Sequence, residues 1–135
     1  MTNALFTEAL NTFLGDGTRI VGASDNFRII FVDEGVDTPV AATDDFLDDI
    51  ATGARIAESA NLGTPAVSGG AFDTDDVTVS AVTGAQFESI VLFKETGTDS
   101  SSDLVAYYDT ATGLPFTPSG GDITVVVNGS GWYSL

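Results

Sequence analysis

The chain has 135 residues, with 20 Asp and Glu against 4 Lys and Arg, no His and no Cys, and a formal net charge of −16. Without His and Cys, the sequence excludes a Ser-His-Asp triad, imidazole or thiolate metal ligation, and a disulfide framework. The excess of acids predicts no binding to nucleic acid and no docking on an anionic membrane, because both need clustered Lys and Arg. A chain of this length is expected to form a single domain, residues 1–135.

An N-terminal helix is the first predicted element, at about residues 3–14, and either Thr2 or Asn3 can cap it. Its apolar side chains fall on one stripe, formed by Phe6, Ala9, Leu10, Phe13 and Leu14. Gly15 and Gly17 predict its end. A helix with one apolar stripe needs a sheet or a partner to cover it.

The body of the chain, residues 26–135, is predicted to be β-rich, because short apolar runs alternate with turns that contain Gly and Pro. Strands are predicted at 26–32, 54–60, 66–72, 77–83, 87–94, 104–108, 123–127 and 132–135. Strand 87–94 is apolar on both faces and is predicted to be central. Segment 109–121 is predicted to be a long turn. The predicted fold is mainly β, an antiparallel β-sandwich or a partly open β-barrel, with the helix covering one open side.

A short helical turn is predicted near residues 43–51, where four acids stand close together: Asp44, Asp45, Asp48 and Asp49. The first two would lie in its first turn, where the helix dipole favours negative charge. The favoured interpretation of this cluster is a solvated helix start. The alternative is a docking surface for basic partners.

Asp73, Asp75 and Asp76 are weak candidates for a metal site, because calcium takes roughly six to eight oxygen ligands. The spacing of an EF-hand loop is absent, so a solvated turn before strand 77–83 is the favoured interpretation. No catalytic residue and no cofactor are predicted, since the sequence has no P-loop, no dinucleotide fingerprint and no pair of carboxylates that stands out. The sequence therefore predicts a protein that is not an enzyme.

The four basic residues are predicted to pair with carboxylates of the same chain, because they are few among many acids: Arg19, Arg28, Arg55 and Lys94. For Arg55 the expected partner is Glu58 or an Asp within residues 44–49. The alternative for Arg19, Arg28 and Arg55 is a contact with another subunit, so these three are also interface candidates.

Trp132 and Tyr133 are the remaining interface candidates, because aromatic residues often anchor interfaces. An equally favoured interpretation is a last strand that completes a sheet and buries Trp132. Tyr107 and Tyr108 are adjacent, so one of the two is expected to face outwards from a strand. Exposed Tyr and Trp can stack on sugars, which gives a carbohydrate-binding alternative.

Several longer segments carry a resemblance to a known group of proteins. They are Phe13-Leu14, Phe46-Leu47-Asp48-Asp49-Ile50 followed by Gly53-Ala54-Arg55, and the segments 72–78, 90–97, 104–115 and 117–123. In these segments, which together extend over most of residues 2–135, the chain resembles small virion proteins of tailed bacteriophages. Segment 104–123 is the most distinctive part, and no catalytic motif belongs to the resemblance.

The resemblance implies a capsid decoration (cement) protein on the exterior of the virion, synthesised in the host cytoplasm. The implied partners are the major capsid protein and further copies of the chain itself, with a homotrimer as the expected form, since trimers suit local three-fold positions of a shell. A tail or head–tail connector protein is the first alternative. A carbohydrate-binding module that helps adsorption is the second.

Overall fold

The computed structural model describes residues 3–15 and 25–134, which form mainly antiparallel β-sheets. The strands are β1 (Ala4–Leu5), β2 (Phe27–Val32), β3 (Arg55–Glu58), β4 (Ala66–Ser68), β5 (Ala71–Asp73), β6 (Val77–Val79), β7 (Ser89–Lys94), β8 (Leu104–Tyr108), β9 (Ile123–Val125) and β10 (Tyr133–Ser134). Helix α1 spans Thr7–Gly15, and 3-10 turns cover Leu47–Asp49, Thr52–Ala54 and Asp99–Ser101. The predicted mainly β, sandwich-like fold with one short helix is confirmed.

Strand β7 lies at the centre of a five-stranded sheet with the order β1-β8-β7-β2-β3. It pairs with β2 from Phe27 opposite Lys94 to Val32 opposite Ser89, and with β8 on its other edge. Residues 89–93 are all buried. The prediction of a central strand at 87–94 is therefore confirmed, because a run that is apolar on both faces is covered on both.

Two smaller sheets, with the orders β10-β5-β4 and β6-β9, complete the architecture. Phe72 of β5 packs against Phe27 of β2, with ring centroids 4.7 Å apart. On the same face of β2, Phe31 stacks on Phe87 at 4.4 Å. Apolar side chains between the layers thus form one core, as in a sandwich.

The predicted strand 66–72 is wrong, because the chain turns back within it. Gly69 and Gly70 have φ values of +60° and +81°, and Ser68 pairs with Ala71 across them. Two residues with positive φ form the turn that suits a two-residue hairpin, and glycine adopts them without strain. Strands β4 and β5 are the two arms of that hairpin.

The helix begins later than predicted. Ala4 and Leu5 pair with Tyr107 and Ala106 as strand β1, and the amide of Phe6 donates to the carbonyl of Val105 at 3.0 Å. Long-range pairing thus replaces the first predicted turn of helix. Phe6 and Ala9 are buried as the stripe predicts, but Leu14 is 81% exposed. Gly17 lies outside the described residues.

The short helical turn predicted near 43–51 is confirmed as a 3-10 turn at Leu47–Asp49, and a second 3-10 turn follows at Thr52–Ala54. A carboxylate oxygen of Asp49 accepts the amides of Asp45 and Phe46, at 2.8 and 3.2 Å. Phe46 also forms an isolated bridge with Asp103. Both interactions hold the chain extended where an α-helix would have to start.

The remaining strand predictions differ mainly in length. Strand β8 covers 104–108 as predicted, and β10 lies within 132–135. The strands predicted at 54–60, 77–83 and 123–127 are each shortened, to β3, β6 and β9. Among residues 3–15 and 25–134, strands β6 and β9 pair with each other over three residues each and have no further strand partner.

Candidate interaction surface

Arg28 lies in an ion-pair cluster within the main sheet. Its guanidinium donates to Glu58 at 2.7 Å and to Asn61 Oδ1 at 2.8 Å, and Glu95 lies 3.7 Å away. Glu58 stands next to Arg28 because it pairs with Ile30 across β2 and β3. The predicted carboxylate partner is confirmed for Arg28, and its role as an interface residue stays a prediction.

Arg55 joins the 3-10 turn at Leu47–Asp49 to the 3-10 turn at Asp99–Ser101. Its guanidinium donates to the carbonyls of Leu47 and Ile50, at 2.6 to 2.9 Å, and to Asp99 at 2.7 Å. A carboxylate partner is therefore confirmed, but it is Asp99, and not Glu58 or an Asp within residues 44–49 as predicted; Glu58 pairs with Arg28 instead. Only 14% of its side chain is exposed, so most of its donors serve the fold. An interface role for Arg55 stays a prediction.

Lys94 ends strand β7 and lies 3.7 Å from a carboxylate oxygen of Asp25, as the predicted pairing requires. Arg19 lies outside the described residues, and both the ion pair and the interface contact predicted for it stay predictions. Among the described residues, the basic side chains Arg28, Arg55 and Lys94 all have a carboxylate partner.

Trp132 is half-buried and hydrogen-bonded within the chain. Its indole donates to Thr74 Oγ1 at 2.8 Å, and its amide donates to the carbonyl of Phe72 at 2.7 Å. Its ring lies 5.7 Å from that of Tyr108, whose hydroxyl donates to the Trp132 carbonyl. The expectation that Trp132 is buried beside a last strand fits this packing, and its role as an interface anchor stays a prediction.

Tyr133 is the first residue of β10 and pairs with Phe72 of β5. The two rings lie 5.6 Å apart, and burial raises the pKa of the Tyr133 hydroxyl to about 12. Its half-buried ring thus completes the small sheet, while an interface contact stays a prediction. The expectation that Tyr107 or Tyr108 faces outwards is met only in part, because Tyr107 is fully buried and Tyr108, on the other face, is half-buried against Trp132 and lines a surface cleft.

The three weak metal candidates accept separate hydrogen bonds. Asp73 accepts the amide of Thr74, Asp75 accepts the Thr64 hydroxyl and Asp76 accepts the amide of Val127, at 2.8 to 2.9 Å. Within residues 3–15 and 25–134, no three acidic side chains converge as a metal site would need. These carboxylates stabilise turns, which matches the favoured interpretation of a turn before β6.

The acids at 44–49 also bind the local backbone. Asp44 accepts the amide of Val40 at 2.8 Å, but burial is the stronger effect and raises the pKa of its carboxyl. The amides of Asp45 and Phe46 lower the pKa of the Asp49 carboxyl, with Asp45 the main cause. The docking surface proposed here for basic partners stays a prediction.

A continuous groove, mainly apolar in its wider part, runs over the main sheet beside β9. It consists of a cleft of about 690 Å³ and a neighbouring cleft of about 430 Å³. The two share five lining residues, which makes them one depression: Ile90, Ala111, Val125, Val126 and Asn128. We call this depression the β9 groove.

The walls of the β9 groove come from two separate segments. Residues 123–126 form one wall and residues 111–114 with Phe116 the other, above a floor that includes Phe31, Phe87 and Ile90. Two large apolar side chains on the walls remain exposed, Val126 at 73% and Phe116 at 39%. Exposed apolar side chains that share one concave site indicate a contact with another molecule.

Carboxylates stand at both ends of the β9 wall. Asp122 comes directly before Ile123, and Asp76 accepts the amide of Val127, which lies just beyond β9. Both aspartates are exposed. In the part of the chain that the structure describes, no Lys or Arg lines either cleft. Both aspartates bind amides of the β6–β9 pair, and neither of them lines either cleft.

The sequence analysis did not select Phe116 or Val126. A signal for each exists in the sequence: Phe116 is an aromatic residue in the middle of a predicted turn, and Val126 lies in the run Val125-Val126-Val127 at the end of a short strand. An apolar run that continues past the end of a half-buried strand places side chains outside the core.

Comparisons with known proteins found no matching family model and no matching curated protein. The helix of the described residues is too short to cross a bilayer.

Proposed function

We propose that this protein is a bacteriophage capsid decoration (cement) protein, which binds the outer surface of the head and stabilises it by bridging major capsid subunits. The observation that carries the proposal is the β9 groove, an exposed apolar contact site held between two walls of a β-rich fold. The proposed partner, the major capsid protein, follows from the resemblance to phage virion proteins. We infer that the protein works by adhesion, without a catalytic step.

The electrostatics supports such a role. The net charge of −16 makes copies repel one another in solution, which favours docking on the shell over association before assembly. The described basic residues lie in ion pairs of their own chain, so little positive charge is left to attract another copy. On the shell, the expected arrangement is a homotrimer at local three-fold positions.

Binding to heads tests the proposal. Purified chain is added to expanded heads that lack it, and the bound copies are counted after sedimentation. Saturable binding of hundreds of copies, with greater resistance of the heads to heat, is the expected result. No binding, or binding of a single ring of copies, would contradict it, and a single ring would support the connector alternative.

Carbohydrate binding is the second candidate, because Tyr108 and Trp132 line the narrower cleft beside Asn3 and Asn128. The two Asn side chains already bond the local backbone: Asn3 bonds residues 109 and 110, and Asn128 accepts the amide of Ser130. A sugar would therefore meet few free polar groups. A glycan array with hits abolished by Trp132→Ala would favour this candidate over decoration.

A further inference from the structure

The sequence contains a single Asn-Gly pair, Asn128-Gly129, and it lies in an exposed turn between β9 and β10. The amide of Gly131 donates to the carbonyl of Asn128 at 2.8 Å and closes this turn. A Cβ at Gly129 would meet nothing within 4 Å, so the backbone there is open to solvent. The side chain of Asn128 and the peptide group that follows it are therefore both accessible to water.

The main-chain nitrogen of Gly129 is a nucleophile next to the side-chain amide of Asn128. Attack of this nitrogen on Cγ of the preceding asparagine closes a five-membered ring. Glycine is the residue that hinders such a ring closure least, because it has no side chain and the widest range of backbone conformations. Among residues 3–15 and 25–134, no group accepts a hydrogen bond from the Gly129 amide. The nitrogen is therefore not held in place by another acceptor.

The side-chain oxygen of Asn128 is held by a backbone donor. Oδ1 accepts the amide of Ser130 at 2.8 Å. Negative charge collects on this oxygen when a nucleophile adds to Cγ. A backbone N–H at about 2.7–3.1 Å from such an oxygen stabilises the charge, as the donors of an oxyanion hole do. The turn therefore supplies both the nucleophile and a donor for the charge that its attack creates.

We infer that Asn128 is a site of spontaneous deamidation in the folded protein. The Gly129 nitrogen bonds to Cγ and gives up its proton, while the side-chain nitrogen takes up a proton and leaves as ammonia. The product is a succinimide ring. Water then adds to one of the two ring carbonyls: opening at Cγ gives aspartate, and opening at the main-chain carbonyl gives isoaspartate. Water is the only co-reactant, and no redox step occurs.

Either product would place a carboxylate in the β9 groove, because Asn128 lines both of its clefts. In the part of the chain that the structure describes, no Asp, Glu, Lys or Arg lines either cleft. Deamidation would therefore give this groove its first charged side chain. Isoaspartate also lengthens the main chain within the turn that the Gly131 amide closes. The inference goes beyond the proposed function and does not depend on it.

Peptide mass spectrometry tests the inference on the full chain. The folded protein is incubated in water enriched in heavy oxygen and then digested with pepsin at acidic pH. We expect residue 128 to convert first, with one heavy oxygen in each product and with aspartate and isoaspartate in separate chromatographic peaks. The rate should rise with pH, since the attacking nitrogen must lose its proton. The internal controls are the other asparagines, none of which precedes glycine: Asn3, Asn11, Asn26 and Asn61.

Gly129→Ala tests the part of the nucleophile. The variant should fold, because the added Cβ has free space, and its deamidation should be slower by about tenfold, which is about 1.4 kcal/mol of activation free energy. Gly121→Ala is the matched control. A Cβ at this position also meets nothing within 4 Å, and Gly121 lies outside the turn. It should leave the rate at Asn128 unchanged.

The chain in urea tests the part of the turn. Denaturation keeps the Asn-Gly pair but removes the hydrogen bond from Ser130, so the folded chain should react at least as fast as the denatured one. Reaction in urea alone would overturn the inference, because the turn would then protect the side chain. Equal conversion at Asn61 and Asn128, an unchanged rate in Gly129→Ala, or products without heavy oxygen would each overturn it as well.

Discussion

Tyr107 donates its hydroxyl to Glu34 Oε2 at 2.5 Å, across 73 residues of chain. The tyrosine has no exposed surface, while Glu34 is half-buried in the turn after β2. The amide of Glu34 in turn donates to Glu88 at 2.9 Å. These two hydrogen bonds fix the turn at residues 33–35 against the covered face of β8. The first of them explains why a tyrosine occupies a buried position in that strand.

Replacement of Tyr107 by Phe should destabilise the fold. The variant keeps the ring in the core and removes one hydrogen bond to a carboxylate, so we expect a loss of about 1–2 kcal/mol of unfolding free energy. Urea denaturation followed by Trp fluorescence measures the change. Glu34→Gln is the control, because it keeps an acceptor and should cost less. A Tyr107→Phe variant as stable as the original chain would show that the bond contributes nothing net.

The stability should also fall at high pH, in part through Tyr107. Burial, and then the hydrogen bond to Glu34, raise the pKa of its hydroxyl above the ordinary value of about 10. The folded state therefore favours the neutral phenol, and its contribution is complete below about pH 10 and lost as the pH rises towards the folded-state pKa. Denaturant midpoints between neutral pH and pH 11 should fall less steeply in Tyr107→Phe. Parallel curves for the two proteins would contradict the prediction.

Arg55→Lys should cost about 1–2 kcal/mol of stability, because a lysine ammonium cannot reach two carbonyls and a carboxylate from one planar group. The matched variant is Asp99→Asn. Asp99 is 51% exposed, so loss of this ion pair alone should cost less than about 0.5 kcal/mol. Urea midpoints of the two variants check the difference. Equal losses would mean that the ion pair, and not the contact with the turn carbonyls, is the important interaction.

Gly131→Ala should destabilise the sheet that contains β5 and β10. A Cβ at this position would lie 2.3 Å from the carbonyl oxygen of Phe72, and the residue has a φ of +89°. That oxygen also accepts a hydrogen bond from the amide of Trp132, so the Phe72 carbonyl and the backbone at residue 131 cannot move apart freely. We therefore expect the free energy of unfolding to fall by more than about 2 kcal/mol. Thermal unfolding measures it.

Gly129→Ala is the matched control for Gly131→Ala. It lies two residues earlier in the same turn, and a Cβ there would meet nothing within 4 Å. This variant should melt within a few degrees of the original chain, since about 1 kcal/mol corresponds to roughly 4 °C in a domain of this size. If both variants lost the same stability, loss of glycine itself, and not the contact with Phe72, would be the cause.

The strands that sequence predicts best are those whose environment is the same on both faces. Strands β7 and β8 are continuous apolar runs, so any fold that buries them must cover both sides. Strand β1 is different, because Ala4 and Leu5 become a strand only through partners about one hundred residues away. No local pattern contains that information. The hairpin of β4 and β5 was predictable in principle from Gly69-Gly70.

The groove was harder to predict than the fold. Its walls, residues 111–114 with Phe116 and residues 123–126, are close in sequence, but its floor comes from β2, from β7 and from Phe87, which lies two residues before β7. Whether Phe116 and Val126 are core or surface depends on how the long turn lies over that floor. Their residue types alone favour burial, and only the tertiary arrangement leaves them exposed.

Phe93→Asp should prevent folding, because Phe93 is fully buried in the central strand and a carboxylate there would lose its hydration without a partner. Far-UV circular dichroism and a thermal melt check the expectation, which is loss of the cooperative transition. Val126→Asp is the matched control, since it makes the same kind of change at a side chain that is 73% exposed. It should keep a normal cooperative melt. A cooperative melt in Phe93→Asp would mean that β7 is not the centre of the sheet.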